Sequence, residues 1–454
     1  MNLIVELIKY LMILLIGIYT YHSFTVFRYK NRRQQNRVYT ILTILIFLIH
    51  FIGNGTLLLQ TMSMKLLILY AGEVLLFILV LAMYRIIYPK MSKLIMRNML
   101  MLLAVSFIVL ARLNFDMAMK QVIIVACSFA VCLFIPFFMK TIGWLRRLGW
   151  IYGLAGIVLL LVVLVAGTTN RGATNWLMID GFSVQPSEFV KILYVLSISA
   201  LFWKGASFKR IIIISAMAGI HVIILVLQKD LGGALIFFVT YIFMLYVASA
   251  KPLYLFSGLI GGSAAAYAAY LMFSHVKVRV MAWQNPFKYI DKEGYQITQS
   301  LFAIGTGGWF GMGLNRGRPT DIPVVESDFI FSAISEELGG LFAICIILIY
   351  ASCFVMFINM ALELEDQFYR LVSIGFSVMF VFQVILSIGG VIKFIPSTGV
   401  TLPLVSQGGS SVFTTIVMFM LLQGVYMRDK ALKKEAENAA EYAAVNTAVD
   451  MEGR

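Results

Sequence analysis

Charge is what this 454-residue chain has least of: Asp, Glu, Lys and Arg make up 13% of it, against a hydrophobic share of 61%. That balance excludes an ordinary soluble domain, where about a quarter of residues are charged. Cysteine and histidine are scarce as well, with four of each. Cys127, Cys132, Cys345 and Cys353 all fall inside apolar runs and none stands at metal-ligand spacing from a histidine. They read as small buried hydrophobes, not as a zinc or redox site. His22, His50, His221 and His275 are isolated in the sequence and are given no role. No internal repeat is found, and no stretch between the apolar runs is long enough for a sizeable soluble domain. The first run, Leu3 to Phe24, has no basic region ahead of it and no small-residue cleavage site, so it reads as a spanning helix and not a signal peptide.

What is present is a succession of apolar runs of about 20 residues, each long enough to cross a bilayer. Thirteen spans are expected, near 3–24, 38–59, 64–87, 99–112, 121–139, 149–166, 187–203, 211–227, 231–249, 253–274, 329–358, 369–392 and 410–427. The net charge of +14 does not point to nucleic acid, because the basic residues sit in short loops between spans. Arg28 to Arg37 holds five Lys/Arg and no acid, and Arg85 to Arg97 holds four and none. Positive-inside bias then puts the N-terminus outside and the C-terminal tail in the cytoplasm. The tail from Lys430 is rich in Ala, Glu and Lys and reads as a helical extension with a disordered end.

On this topology three outside segments are too long for simple turns: 167–186, 275–328 and 393–409. The middle one, about fifty residues, carries aromatic and Gly-Gly motifs unlike disorder, which favours function. The first ends in Gly181-Phe182-Ser183-Val184-Gln185-Pro186-Ser187-Glu188, with Lys191 one turn on. In order there follow Gln228-Lys229-Asp230-Leu231-Gly232, Gly294-Tyr295-Gln296-Ile297-Thr298-Gln299-Ser300 and Gly305-Thr306-Gly307-Gly308-Trp309-Phe310-Gly311. Ser327-Asp328-Phe329, Glu336-Glu337-Leu338-Gly339, Thr398-Gly399-Val400-Thr401-Leu402-Pro403 and Ser406-Gln407-Gly408-Gly409-Ser410-Ser411 complete the set.

These motifs resemble those of the SEDS family (shape, elongation, division and sporulation) of peptidoglycan glycosyltransferases. The resemblance implies an all-α polytopic fold, with a ten-helix core over 97–430, about three additional N-terminal helices over 1–96 and a cytoplasmic tail over 431–454. It implies a bacterial cytoplasmic-membrane enzyme that polymerises lipid II into nascent glycan beside a class B penicillin-binding protein. Asn175 stands where the family has arginine, Lys229 where it has proline, and Gln407 where it has tyrosine.

Such a reaction needs a base for the attacking sugar hydroxyl and positive charge for the departing diphosphate. The resemblance places the catalytic aspartate at Asp291, with Glu293 as neighbour; taken alone, Asp291 could equally be a solvated loop acid. Charges at bilayer depth are costly and are usually paired or functional. Glu188, Lys191, Asp230 and Glu337 are therefore candidate substrate-binding residues, with Lys191 facing phosphate, although Pro186 and Glu188 also suit a plain helix start. Arg171 is a candidate guanidinium in place of Asn175. Thr401 and Ser410 join the site through their motifs, and Gly408-Gly409 lets a backbone approach an anion or simply lets helices pack. A divalent cation, Mg²⁺ or Mn²⁺, is an expected cofactor of the diphosphate, though no ligand spacing fixes it. The competing readings are a flippase for lipid-linked sugars and an inactive scaffold that activates a penicillin-binding protein.

Overall fold

The computed structural model describes residues 2–170, 173–179 and 182–452. Three helices open the chain: α1 (Asn2–Thr25), α2 (Arg32–Thr61) and α3 (Met64–Ile87). The bundle continues with α4 (Lys93–Leu113), α5 (Phe115–Cys132), the short α6 (Ile135–Thr141) and α7 (Gly149–Ala166). A small antiparallel sheet follows, β1 (Thr168–Asn170), β2 (Ala173–Ile179) and β3 (Phe182–Val184). Then come α8 (Pro186–Phe202), α9 (Phe208–Leu227), α10 (Leu231–Ser249) and α11 (Pro252–Met272). The last group is α12 (Ser274–Gln284), α13 (Tyr295–Gly307), α14 (Ile330–Leu338), α15 (Gly340–Glu363), α16 (Gln367–Val391) and α17 (Gly409–Glu452).

Twelve spans among the described residues are long and apolar enough to cross a membrane. The thirteenth expected span is α8, 17 residues long and packed on α7, α10 and α16. In lipid every backbone polar group must be met inside the element, which is why the spanning units are helices. Burial sorts them: α4, α16 and α17 have 94%, 83% and 89% of their spans enclosed, and α11 none, so α11 lies at the periphery. Small residues allow the close pairs. A Cβ at Gly153 of α7 would fall 2.4 Å from the Met217 sulfur and 2.8 Å from the Ser197 hydroxyl, so only glycine fits between α8 and α9 there.

Two sequence expectations change. The span at 329–358 is broken at Gly339, whose φ of +90° strains any other residue and where a Cβ would fall 2.5 Å from the Gly311 nitrogen. The long segment 275–328 is largely built, since it contains α12 and α13. The tail helix α17 runs on to Glu452.

The N-terminal helices are fastened to the rest by polar contacts. Tyr19 donates to Asn98, which donates in turn to Ser352, at 3.0 and 3.1 Å. His50, isolated in sequence, pairs with Glu73 across α2 and α3 at 2.9 Å, both fully buried. Cys132 and Cys353 are buried as expected, but Cys127 is exposed.

Candidate functional site

A cavity of about 620 Å³ opens at one end of the bundle. Four helix N-termini converge on it: Gln185 precedes α8, Asp230 caps α10, Glu293 and Gln296 flank the start of α13, and Gly408 to Ser411 open α17. Each carries about half a positive charge from its aligned peptide dipoles. Lys229 and Arg279 add two full cations to the wall, and Asp230, Glu293, Glu326 and Asp328 add four carboxylates. Arg279 donates to the Thr398 carbonyl at 3.1 Å, which aims its guanidinium along the 397–401 loop. Burial first, then the nearby Arg279 and Lys229, push the His275 imidazole below its ordinary value. The helix N-termini and the two cations suit a bound anion, while the carboxylates and the amide and hydroxyl side chains suit sugar hydroxyls.

Of the expected site residues, the cavity gathers Asp230, Thr401 and Ser410. Asp230 accepts from the Gly233 amide at 2.8 Å and from Asn175 at 3.2 Å, so the residue standing in the family's arginine place holds the carboxylate. Ser410 accepts from the Gln185 amide at 3.0 Å and joins the starts of α8 and α17.

Lys191 does not face the cavity. It is buried one turn into α8, donating to Glu188 at 2.7 Å and to Gln383 of α16 at 2.9 Å. The Thr414 hydroxyl lies 3.2 Å from the other Glu188 oxygen. Gln383 then donates to the Thr401 carbonyl at 3.0 Å, and the Thr401 hydroxyl meets Ser411 at 2.9 Å. The Lys191–Glu188 pair thus underpins the cavity through Gln383 and Thr401.

Glu337 lies elsewhere. Arg112 donates to it at 2.9 Å, and the Asn315 and Gly317 amides at 3.1 and 3.3 Å. Glu336 accepts from the Arg318 amide at 2.8 Å, so the acidic pair fastens the 315–318 loop to α14. Asp291 is exposed on the turn before α13, two residues from the cavity-lining Glu293. Arg171 lies outside the described residues. Sequence reasoning missed Arg279, Glu326 and Gln383; the alternation of valine and basic residues in Val276-Lys277-Val278-Arg279-Val280 and a glutamine in mid-span were the available signals. Among the described residues no three His, Cys, Asp or Glu side chains form a metal-ligating group.

A family model described as a cell cycle protein, FTSW_RODA_SPOVE, matches residues 86–431. The peptidoglycan glycosyltransferase RodA of Mycobacterium tuberculosis is 34% identical over 332 residues, spanning 69% of this chain and 71% of that protein. Stage V sporulation protein E of Bacillus subtilis is 32% identical over 309 residues, spanning 64% and 81%. A solved peptidoglycan synthase complex, described as coordinating polymerization and crosslinking, contains a chain that superposes with a TM-score of 0.64 at 23% identity, covering 75% of this chain and 98% of that one. The RodA structure from Thermus thermophilus gives 0.56 at 23% identity, covering 74% and 97%.

Proposed function

The chain belongs to the FtsW, RodA and SpoVE family of cell cycle proteins, and from that premise we propose that it is a peptidoglycan glycosyltransferase polymerising lipid II at the outer face of the cytoplasmic membrane. The observation that carries this reading is the cavity where four helix N-termini, Lys229 and Arg279 surround space for a diphosphate and its sugars. Preorganised positive ends stabilise charge as it develops on a leaving group without reorganising water. In the reaction, an acceptor sugar hydroxyl attacks the anomeric carbon of the donor. The new C–O bond forms as the bond to the diphosphate oxygen breaks, and the hydroxyl proton passes to a carboxylate. Asp291 is the proposed base, from its place ahead of Gly294-Tyr295, and Asp230 and Ser410 hold the wall against which the head group rests. Lys191 and Glu188 are positioning residues beneath it.

A divalent cation such as Mg²⁺ or Mn²⁺, if bound, would supply charge neutralisation for the diphosphate. Glu326 and Asp328 are the lining acids suited to it. A class B penicillin-binding protein is the proposed partner, in keeping with the synthase complex whose fold this chain shares. The test is polymerisation by purified protein given lipid II, alone and with such a partner, read as glycan strands on a gel. Strand formation supports the reading. Movement of lipid II across a vesicle membrane with no strands formed, partner present, would replace it with a flippase.

A further inference from the structure

A second cavity, about 550 Å³, lies at the opposite end of α7, α8 and α9 from the first. α7 and α9 reach the sheet and Lys229 with their C-terminal ends, and α8 leaves Gln185 with its N-terminal end, so their other ends face the opposite side of the bundle. There Arg146, Arg147, Lys204 and Arg210 line the pocket together with Trp150 and Trp203. Among the described residues the only salt bridge these four cations make is Arg146 to Asp366, at a loose 3.4 Å. Arg146 stacks on the Trp203 ring at 4.1 Å, while its Nε is buried without a hydrogen-bond partner. Arg210 donates to the Lys204 carbonyl at 2.6 Å, fixing the turn that presents Lys204. Four cations gathered around one cavity repel one another, and an anion placed among them offsets that repulsion.

We propose that this pocket binds the phosphate head group of an anionic phospholipid. The lipid source is favoured over a free anion by what borders the pocket. Trp150 and Ile213 in its wall and Ile151 and Phe208 beside it are all exposed. In a bundle of membrane spans such exposed apolar faces meet acyl chains, and indoles settle at the head-group level. The head group enters the basic pocket, and its chains run along the outer faces of α7 and α9. Basic pockets between helices at the positively charged side of a membrane protein are suited to this chemistry. The site is separate from the polymerase cavity and its test requires no turnover, so it stands or falls apart from the proposed reaction.

The experiment uses the full chain in neutral detergent and measures lipid retention by native mass spectrometry and thermal shift. The probes are phosphatidylglycerol, phosphatidylcholine and free glycerol phosphate. Wild type should retain phosphatidylglycerol selectively. Arg147→Gln with Lys204→Gln changes two exposed side chains and should weaken retention about fivefold per charge, roughly 25-fold together. Arg28→Gln with Arg32→Gln, basic residues of the loop between α1 and α2, should leave it unchanged. Should the double variant not fold, Lys204→Gln alone carries the fivefold expectation. Equal retention of phosphatidylcholine, equal binding of free glycerol phosphate, undiminished retention in the variant or an equal loss in the Arg28/Arg32 control would each overturn the assignment.

Discussion

Replacing Lys191 by Met tests whether the buried pair under the cavity acts on substrate or on structure. Lys191 and Glu188 are 7% and 6% exposed, and the ammonium makes the shortest contact Glu188 has, 2.7 Å. Methionine fills the same volume but leaves the carboxylate with only the Thr414 hydroxyl, 3.2 Å away, and strips Gln383 of a 2.9 Å donor. Breaking a buried pair by removing one partner costs about 3–5 kcal/mol, because the other charge stays buried. Roughly 4 kcal/mol of stability should therefore go, together with the order of the Gln383–Thr401 link. Adding Glu188→Gln removes the orphaned charge and should restore most of that stability. The assay pairs unfolding in detergent with lipid II polymerisation. The double variant should recover stability and a measurable part of the activity, since the pair supports the wall and does not touch the head group. A Lys191→Met protein as stable as wild type would refute the energetics. A stable but wholly inactive double variant would refute the positioning role and return Lys191 to the substrate.

Asp291→Asn should lower turnover about 10²–10⁴-fold with lipid II binding retained, and Glu293→Gln roughly tenfold at most; the reverse ranking, measured on purified variants, moves the base to Glu293. Asp230→Asn keeps the α10 cap, because Asn caps as well as Asp, so stability should stay within about 1 kcal/mol. Polymerisation should nevertheless fall, as the wall loses a charge 3.2 Å from Asn175; full activity would make Asp230 a cap and nothing more. An impermeant maleimide applied from outside should label a cysteine placed at Lys288 but not one at Arg33, and the opposite pattern would invert the topology.

How much of this was legible differs between the helices and the site. Long apolar runs report spans directly, because lipid leaves a chain no alternative to helix. The break at Gly339 was signalled only by the Glu336-Glu337 and Gly339-Gly340 pairs inside the span, and the backbone of Gly311 that packs against it lies 28 residues earlier. Asp230 and Ser410 could be found because they stand in motifs at helix starts that face the cavity, and Thr401 because its motif lies in the loop leading to α17. Lys191 could be picked out as a charge in a span, but its direction could not. Helical spacing puts it beside Glu188, yet only the packing of α16 against α8 supplies Gln383 and turns the ammonium away from the cavity. Glu337 shows the same limit, since nothing local indicates that Arg112, 225 residues earlier, claims it.

The N-terminal helices add a last step. Lys9 donates to the Gly311 carbonyl at 3.1 Å and Gln60 to the Leu314 carbonyl at 3.0 Å, while Glu6 lies 3.4 Å from Arg316. These contacts grip the same loop that Glu336 and Glu337 hold from the other side. That loop leads from α13, whose start lines the cavity, to Glu326 and Asp328 in its wall. Gly311 and Leu314 are buried, a buried carbonyl costs free energy if left unmet, and α1 and α2 supply donors to these two. The N-terminal helices thus hold the segment that joins two walls of the cavity, through residues that do not line it.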